Sequence, residues 1–270
     1  MTKKIKSAGL YIVLCFVAGI FLIPLLYVLY NSFLPYRYVQ TWASPSVWTL
    51  DNYKELFSKY PIFKWYWNTF SSTILVMAGN LVFPVLAGYA LAKLRFPGRK
   101  VIFSVLLVSM MVPFQLIMIQ MYIMLAKMNL HNTIWSITLP FMSQTMYMFI
   151  ARQFFYSVPD ELIEAGRIDG VNYAGAFFRI VCPMAKPLFA TIAILIFTGT
   201  WNSYLVPATF INDVNKYTLV VGLQTVNMTY FQKTNLTMAG VVLLSFPVIL
   251  FFILNQKQFV EGVMSSGIKA

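Results

Sequence analysis

The sequence predicts an all-α, polytopic membrane protein with six transmembrane helices. Hydrophobic residues make up 59% of the chain and charged residues 10%, far from the balance of an ordinary soluble domain. The charges are also gathered, which leaves six stretches without Asp, Glu, Lys or Arg: 7–36, 65–92, 101–126, 128–151, 187–212 and 234–256. Each is at least 23 residues long, and about 20 apolar helical residues cross a hydrocarbon core. Helices satisfy their own backbone hydrogen bonds, which lipid cannot do. The spans are expected at about 8–30, 67–92, 101–125, 132–155, 184–206 and 237–256, within one transmembrane domain covering 1–270.

The first span follows a basic start, Lys3-Lys4-Ile-Lys6. Its apolar run is too long for a signal-peptide core and no small-x-small cleavage site closes it, so it is read as a membrane anchor. Placing both termini in the cytoplasm puts thirteen of the twenty Lys and Arg in the inner segments 1–7, 93–100, 152–186 and 257–270. That asymmetry is the positive-inside signal. The loop Lys93-Leu-Arg95-Phe-Pro-Gly-Arg99-Lys100 between the second and third spans carries most weight. The net charge of +12 is therefore topological. No basic run interleaved with stacking aromatics suggests nucleic-acid binding. The outer loops are expected at 31–66 and 207–233.

Nothing in the pattern reads as catalytic. There is no Ser/His/Asp constellation, no acid pair within a span and no glycine-rich phosphate loop. Cys15 and Cys182 lack metal-ligand spacing, and a disulfide between them is not expected. His131 is the one histidine, and a lone histidine at a helix boundary reads as interfacial. Asn227-Met-Thr229 and Asn235-Leu-Thr237 match the short glycosylation pattern. A secondary transporter or channel would show intramembrane charges, broken helices or an internal repeat. A membrane-embedded enzyme would cluster His, Asp, Glu or Ser at membrane depth.

The segment 157–183 stands out. It holds four of the eight acids, Asp160, Glu161, Glu164 and Asp169, beside Arg152, Arg167, Arg179 and Lys186. Ser157-Val-Pro159-Asp160-Glu161 reads as a helix start, with serine as cap, an early proline and acids at the positive end of the dipole. Asp169-Gly170 reads as the stop, since glycine accepts a left-handed backbone cheaply. A second helical stretch is expected from about Tyr173 to Ile180, with Pro183 and Pro187 marking the return to the membrane. Taken alone, Asp-Gly is an ordinary turn in a solvated loop.

The whole pattern is more specific. Glu164-Ala-Gly-Arg-Ile-Asp169-Gly170, nine intervening residues, then Ile180-Val-Cys-Pro183 resembles the EAA loop of binding-protein-dependent ABC importer permeases. Other stretches resemble the carbohydrate-uptake branch of that family, similar to the six-helix maltose-transporter permease subunit. They are Asp51-Asn-Tyr-Lys-Glu55, Trp65-Tyr66-Trp67-Asn68-Thr69-Phe70, Gly88-Tyr-Ala-Leu-Ala-Lys93, Trp201-Asn202-Ser-Tyr204, Lys216-Tyr217-Thr218 and Gln256-Lys-Gln-Phe259-Val-Glu261-Gly262. The resemblance implies a type I ABC importer permease fold with a cytoplasmic coupling helix between the fourth and fifth spans. It also implies a non-catalytic subunit of a bacterial inner membrane transporter, one half of the translocation pathway. Its implied partners are a second permease, two ABC ATPase subunits that bind ATP and magnesium, an extracellular solute-binding protein, membrane lipid and a sugar, with no nucleic acid and no cofactor on this chain. Glycerol phosphate or another polyol derivative is the alternative cargo.

By the same resemblance, Glu164, Ala165, Gly166, Asp169 and Gly170 couple to the ATPase. The family usually has alanine where Gly166 stands, and glycine costs up to about 1 kcal/mol in a helix interior. The outer loop tip at Asn227, Thr229, Tyr230 and Phe231 would meet the binding protein. Asn80, Gln115, Gln120, Trp201, Asn202 and Tyr204 are the pathway candidates, as polar or stacking groups within the spans, although the related maltose subunit suggests that this half need not touch sugar in the membrane. No charged residue interrupts the core of any span, which favours a neutral solute over an ionic one.

Overall fold

The computed structural model describes residues 2–229 and 233–267, with side chains described over 9–226 and 233–257. Among these residues all regular structure is helical: α1 (Thr2–Ser32), α2 (Asp51–Lys59), α3 (Ile62–Lys93), α4 (Arg99–Ser109), α5 (Phe114–Lys127), α6 (Ile134–Thr138), α7 (Thr145–Tyr156), α8 (Asp160–Ile168), α9 (Tyr173–Ala176), α10 (Cys182–Met184), α11 (Lys186–Trp201), α12 (Leu205–Phe210), α13 (Leu219–Thr229) and α14 (Thr234–Gly267). Three helices are each long and apolar enough to cross a membrane: Gly9–Ser32 in α1, Ile62–Lys93 in α3 and Thr234–Lys257 in α14. Two bent pairs raise the number to five if each is one span.

Continuity is where the structure departs from the sequence expectation. The span expected at 101–125 is two helices, α4 and α5, bent by 96°. Pro113 takes the cap position of α5 with extended backbone, and a proline there disfavours the α region for the residue before it. The span expected at 132–155 is α6, a 3-10 turn at Leu139–Phe141 and α7. Pro140 lies in that turn, and the chain runs extended at Gln144 before α7 begins. The span expected at 184–206 is shorter, since α11 stops at Trp201 and the chain turns through Asn202 before α12. The loop expected at 207–233 contains most of α12 and all of α13. The segment 31–66, expected as an outer loop, holds α2.

Two compact units organise the chain: residues 1–63 with 222–247, and residues 64–221 with 248–270. In the first, α1 turns nearly all its apolar side chains outward, Leu10, Ile12, Phe16, Phe21 and Ile23 among them, as a lipid-facing helix does. A polar knot ties its end to α2. Asn52 donates to the carbonyls of Ser32 (2.7 Å) and Leu34 (3.0 Å) and accepts from the Asn235 side chain of α14 (2.6 Å).

The second unit packs α3, α7, α8 and α11 around Val85, Tyr89, Ala151, Phe155, Ile163, Phe177 and Ile192. The Tyr89 ring meets those of Phe155 (5.5 Å) and Phe177 (4.8 Å). Backbones approach so closely that a Cβ on Gly79 would meet Met142 Cβ at 2.5 Å, and one on Gly88 would meet Ala151 Cβ at 2.7 Å. A ladder of side chains from α3 holds the segment before α13. Trp65 donates to the Val214 carbonyl (2.7 Å), and Asn68 to those of Asn215 (2.9 Å) and Tyr217 (3.0 Å). Thr69 accepts from the Leu219 N–H (2.7 Å).

Candidate functional site

The segment with the acid-rich motif folds as an exposed, amphipathic helix. Pro159 occupies the cap position of α8, and no side chain caps it. The expected Ser157 cap is not formed, because its hydroxyl donates to the Phe154 carbonyl of the preceding helix (2.7 Å). Asp160 and Glu161 lie in the first turn, where carboxylates favour the helix dipole. Ile163 and Gly166 face inward and are buried. Burying the Ile163 side chain contributes about 1.5–3 kcal/mol. Glu164, Ala165, Asp169 and Gly170 face outward and are exposed.

The helix stops as the Asp-Gly pair predicts. Gly170 has φ +85°; its N–H reaches the Arg167 carbonyl (3.0 Å), and the Val171 N–H reaches that of Gly166 (2.9 Å). This pair of bonds is the Schellman stop. Asn172 then caps α9 through the Gly175 N–H (2.8 Å). Helical structure continues through a π-helical turn at Phe177–Val181 into α10, past the expected end at Ile180. Between Met184 and Lys186 the chain bends by 76°.

Two elements outside the motif fix α8 in place. Lys93, at the end of α3, donates to Asp160 Oδ1 and to the Val158 carbonyl, both at 2.5 Å. Its side chain is 6% exposed, whereas that of Asp160 is 67% exposed. On the opposite flank, Ile180 packs against Gly166 so tightly that a Cβ there would fall on its Cδ1. Sequence reasoning placed Lys93 in a topological loop and gave Ile180 no contact with Gly166.

A second feature is a cavity of about 210 Å³ lined by Ser72, Gln144, Tyr147, Thr200, Ser203 and Thr218 among its polar residues. Among the described residues no charged side chain lines it. Ser72 and Val76 lie about 11 and 17 Å inside the charge-free stretch of α3, at ~1.5 Å per residue. Two helix breaks border the space, through Gln144 at the start of α7 and Ser203 after α11.

The pathway candidates lie elsewhere. Asn80 is buried and bridges the first break: it donates to the carbonyls of Val76 (2.8 Å) and Phe141 (2.6 Å) and accepts from the Gln144 N–H (2.8 Å). Trp201 is buried, stacked on Phe197 with ring centroids 5.3 Å apart. Gln115, Gln120, Asn202 and Tyr204 are exposed, and Asn202 donates back to the Thr198 carbonyl (2.9 Å). None of the six lines the cavity. Ser72, Thr200 and Thr218 were missed, since isolated hydroxyls in apolar helices carry no local signal. Of the outer-loop candidates, Tyr230 and Phe231 lie outside the described residues, and the side chains of Asn227 and Thr229 are likewise not described.

Within α2, Glu55 pairs with Lys59 and with Lys233, each at 2.8 Å. Hydrogen bonds from Lys233 and then Lys59 hold its carboxyl below the usual carboxylate range.

The backbone superposes on the crystal structure of a bacterial ABC transporter involved in the import of the acidic polysaccharide alginate, with a TM-score of 0.80 over 96% of this chain and 98% of that one. At 22% identity the likeness establishes the fold alone. The sequence takes the assignment further. The family described as binding-protein-dependent transport system inner membrane component matches residues 81–261, and the chain belongs to it. It is 32% identical to an arabinooligosaccharides transport system permease protein of Halalkalibacterium halodurans, over 99% of this chain and 98% of the relative. It is 31% identical to an sn-glycerol-3-phosphate transport system permease protein of Pectobacterium atrosepticum, over 74% of this chain and 72% of the relative.

Proposed function

We propose that the chain is the permease subunit of an ATP-driven importer for a sugar or oligosaccharide, coupled to its ATPase through α8. It would cross the inner membrane six times with both termini in the cytoplasm, the fourth crossing being the interrupted segment from α6 to α7. ATP binding by two partner ATPase subunits would close them and carry α8 along, turning the pathway outward toward a solute-binding protein. A second permease would supply the other half of that pathway. ATP and magnesium would stay on the ATPase partners.

The observation that carries this reading is the build of α8. It is a nine-residue helix anchored on one face by Ile163 and Gly166, stopped by Gly170, and free on the face bearing Glu164, Ala165 and Asp169. An outward face this regular suits a cleft on a partner, with Glu164 placed for an ion pair and Ala165 small enough for close approach. Sugar is favoured over glycerol phosphate by the length and coverage of the oligosaccharide permease match and by the uncharged cavity. The test is to replace Glu164 by Gln and Gly170 by Ala in the assembled complex and measure ATPase stimulation by loaded binding protein. Undiminished stimulation with normal assembly would refute the coupling role.

A further inference from the structure

We infer that the turn joining α3 to α4 binds an anionic phospholipid, its phosphodiester on Arg95, Arg99 and Lys100 and an acyl chain along α4. The inference goes beyond the importer reading and takes from it only the leaflet, the cytoplasmic one.

The turn is built around its cations. Gly98 adopts φ +81°, a backbone that glycine takes cheaply. Around it lies a hollow of about 380 Å³ lined by Arg95, Phe96, Gly98, Arg99, Lys100 and Val101, three cations and no acid. It holds roughly a dozen waters at ~30 Å³ each, room for a glycerophosphate headgroup. Arg99 donates from Nη1 to the Leu94 carbonyl across the turn (3.0 Å), which orients its guanidinium. The rest of that fork suits a phosphate, which arginine grips through parallel hydrogen bonds. Among the described residues no carboxylate pairs with Arg95, Arg99 or Lys100. Asp160 and Glu161 line a neighbouring hollow that shares Arg95 and Arg99, and Asp160 is held by Lys93. The turn therefore stays positive. Basic pockets at the cytoplasmic ends of membrane helices attract anionic headgroups.

An independent observation separates a lipid from a soluble anion. None of the eleven residues of α4 is buried. Val101, Val105 and Val108 are 67%, 63% and 62% exposed, and their spacing of four and three puts them on one helix face. At ~1.5 Å per residue α4 rises about 15 Å, half of a ~30 Å hydrocarbon core. An apolar stripe one leaflet deep thus runs from the cations towards the bend at Pro113. A phospholipid matches both parts, headgroup to hollow and chain to stripe, whereas free phosphate uses only the first.

The experiment places the full complex in nanodiscs and introduces Phe96→Trp as a local reporter. Its emission, after subtraction of the wild-type complex, is quenched by phosphatidylglycerol or phosphatidylcholine brominated on the acyl chains. Phosphatidylglycerol is expected to quench with at least fivefold higher relative affinity. Arg95→Gln, Arg99→Gln and Lys100→Gln, each in the Phe96→Trp background, should each lower that preference about fivefold, until none remains. The triple variant should show none. Arg95→Gln alone keeps the test decisive if the triple variant fails to assemble, because Arg95 is exposed. Equal quenching by the two lipids overturns the site, as it would if a partner subunit covers the turn. So does a preference that survives in Arg95→Gln, Arg99→Gln and Lys100→Gln alike. Displacement of phosphatidylglycerol by an equal concentration of inorganic phosphate overturns the lipid in favour of a soluble anion. The readout needs neither ATP nor solute, so its failure leaves the importer reading standing, and loss of ATPase stimulation leaves the lipid site standing.

Discussion

Lys93 and Asp160, 67 positions apart, join the end of α3 to the first turn of α8 through an ion pair in which only the carboxylate is well exposed. The asymmetry decides what each substitution costs. Asp160→Asn removes a solvent-screened charge and should cost about 1 kcal/mol or less. Lys93→Met removes a nearly buried ammonium that also satisfies the Val158 carbonyl, leaving that carbonyl unpaired at about 1–3 kcal/mol. Because the pair ties α8 to a membrane helix, Lys93→Met should weaken ATPase stimulation by loaded binding protein more than Asp160→Asn does. Both effects are read from ATPase rates and thermal unfolding of the purified complex.

Gly166 and Ile180 form a packed pair across the coupling segment. An alanine at 166 gains up to about 1 kcal/mol of helix propensity and pushes against the flexible end of Ile180. The two effects oppose each other, so Gly166→Ala should shift stability by less than about 1 kcal/mol. Adding Ile180→Val removes the methyl in the way, and the double variant should be at least as stable as wild type. Gly166→Leu has no such escape and should displace α8. A double-mutant cycle read by thermal unfolding gives the coupling between the two positions.

What the sequence made legible was local or compositional. Gly170 announced its left-handed turn because the needed chemistry sits in two adjacent residues. The charge-free stretches located apolar segments, yet they could not say whether each is one helix. Pro113 and Pro140 were read inside continuous spans, and the bond from Asn80 to the Phe141 carbonyl spans 61 positions and has no local trace. The same holds for the motif residues Trp65, Asn68 and Thr69, noticed separately from Tyr217, which the fold brings together with Val214 and Leu219 in one ladder. Ser157 failed as a cap because its hydroxyl donates to the Phe154 carbonyl of the preceding helix.

Glu55 gives a pH dependence with a definite sign. Lys233 and Lys59 lower its folded pKa below the usual 4.5. A depressed carboxyl contributes stability that is complete above the unfolded pKa and is lost as pH falls through the folded one. The stability difference between wild type and Glu55→Gln should therefore be constant from pH 7 down to about 4.5 and shrink below it. Thermal unfolding of the detergent-solubilised protein across that range is the measurement. A difference that grows on acidification would contradict the assignment of the ion pairs.

Asn80 should be the most sensitive polar residue of α3. Its side chain is fully buried and makes three hydrogen bonds, two of them to the chain break between the 3-10 turn and α7. Asn80→Ala leaves the Gln144 N–H without a partner, at about 1–3 kcal/mol, and leaves the Phe141 carbonyl only the Gln144 side-chain amide at 3.2 Å. Asn80→Asp keeps the acceptor for the Gln144 N–H but loses the donor and buries a charge, so it should be no milder. Asn80→Gln keeps the chemistry and misplaces it by one methylene, and it should fall between wild type and alanine. Since Gln144 lines the cavity, the alanine variant should lose solute import along with stability, whereas a purely structural staple would lower the unfolding temperature and leave import per folded complex unchanged.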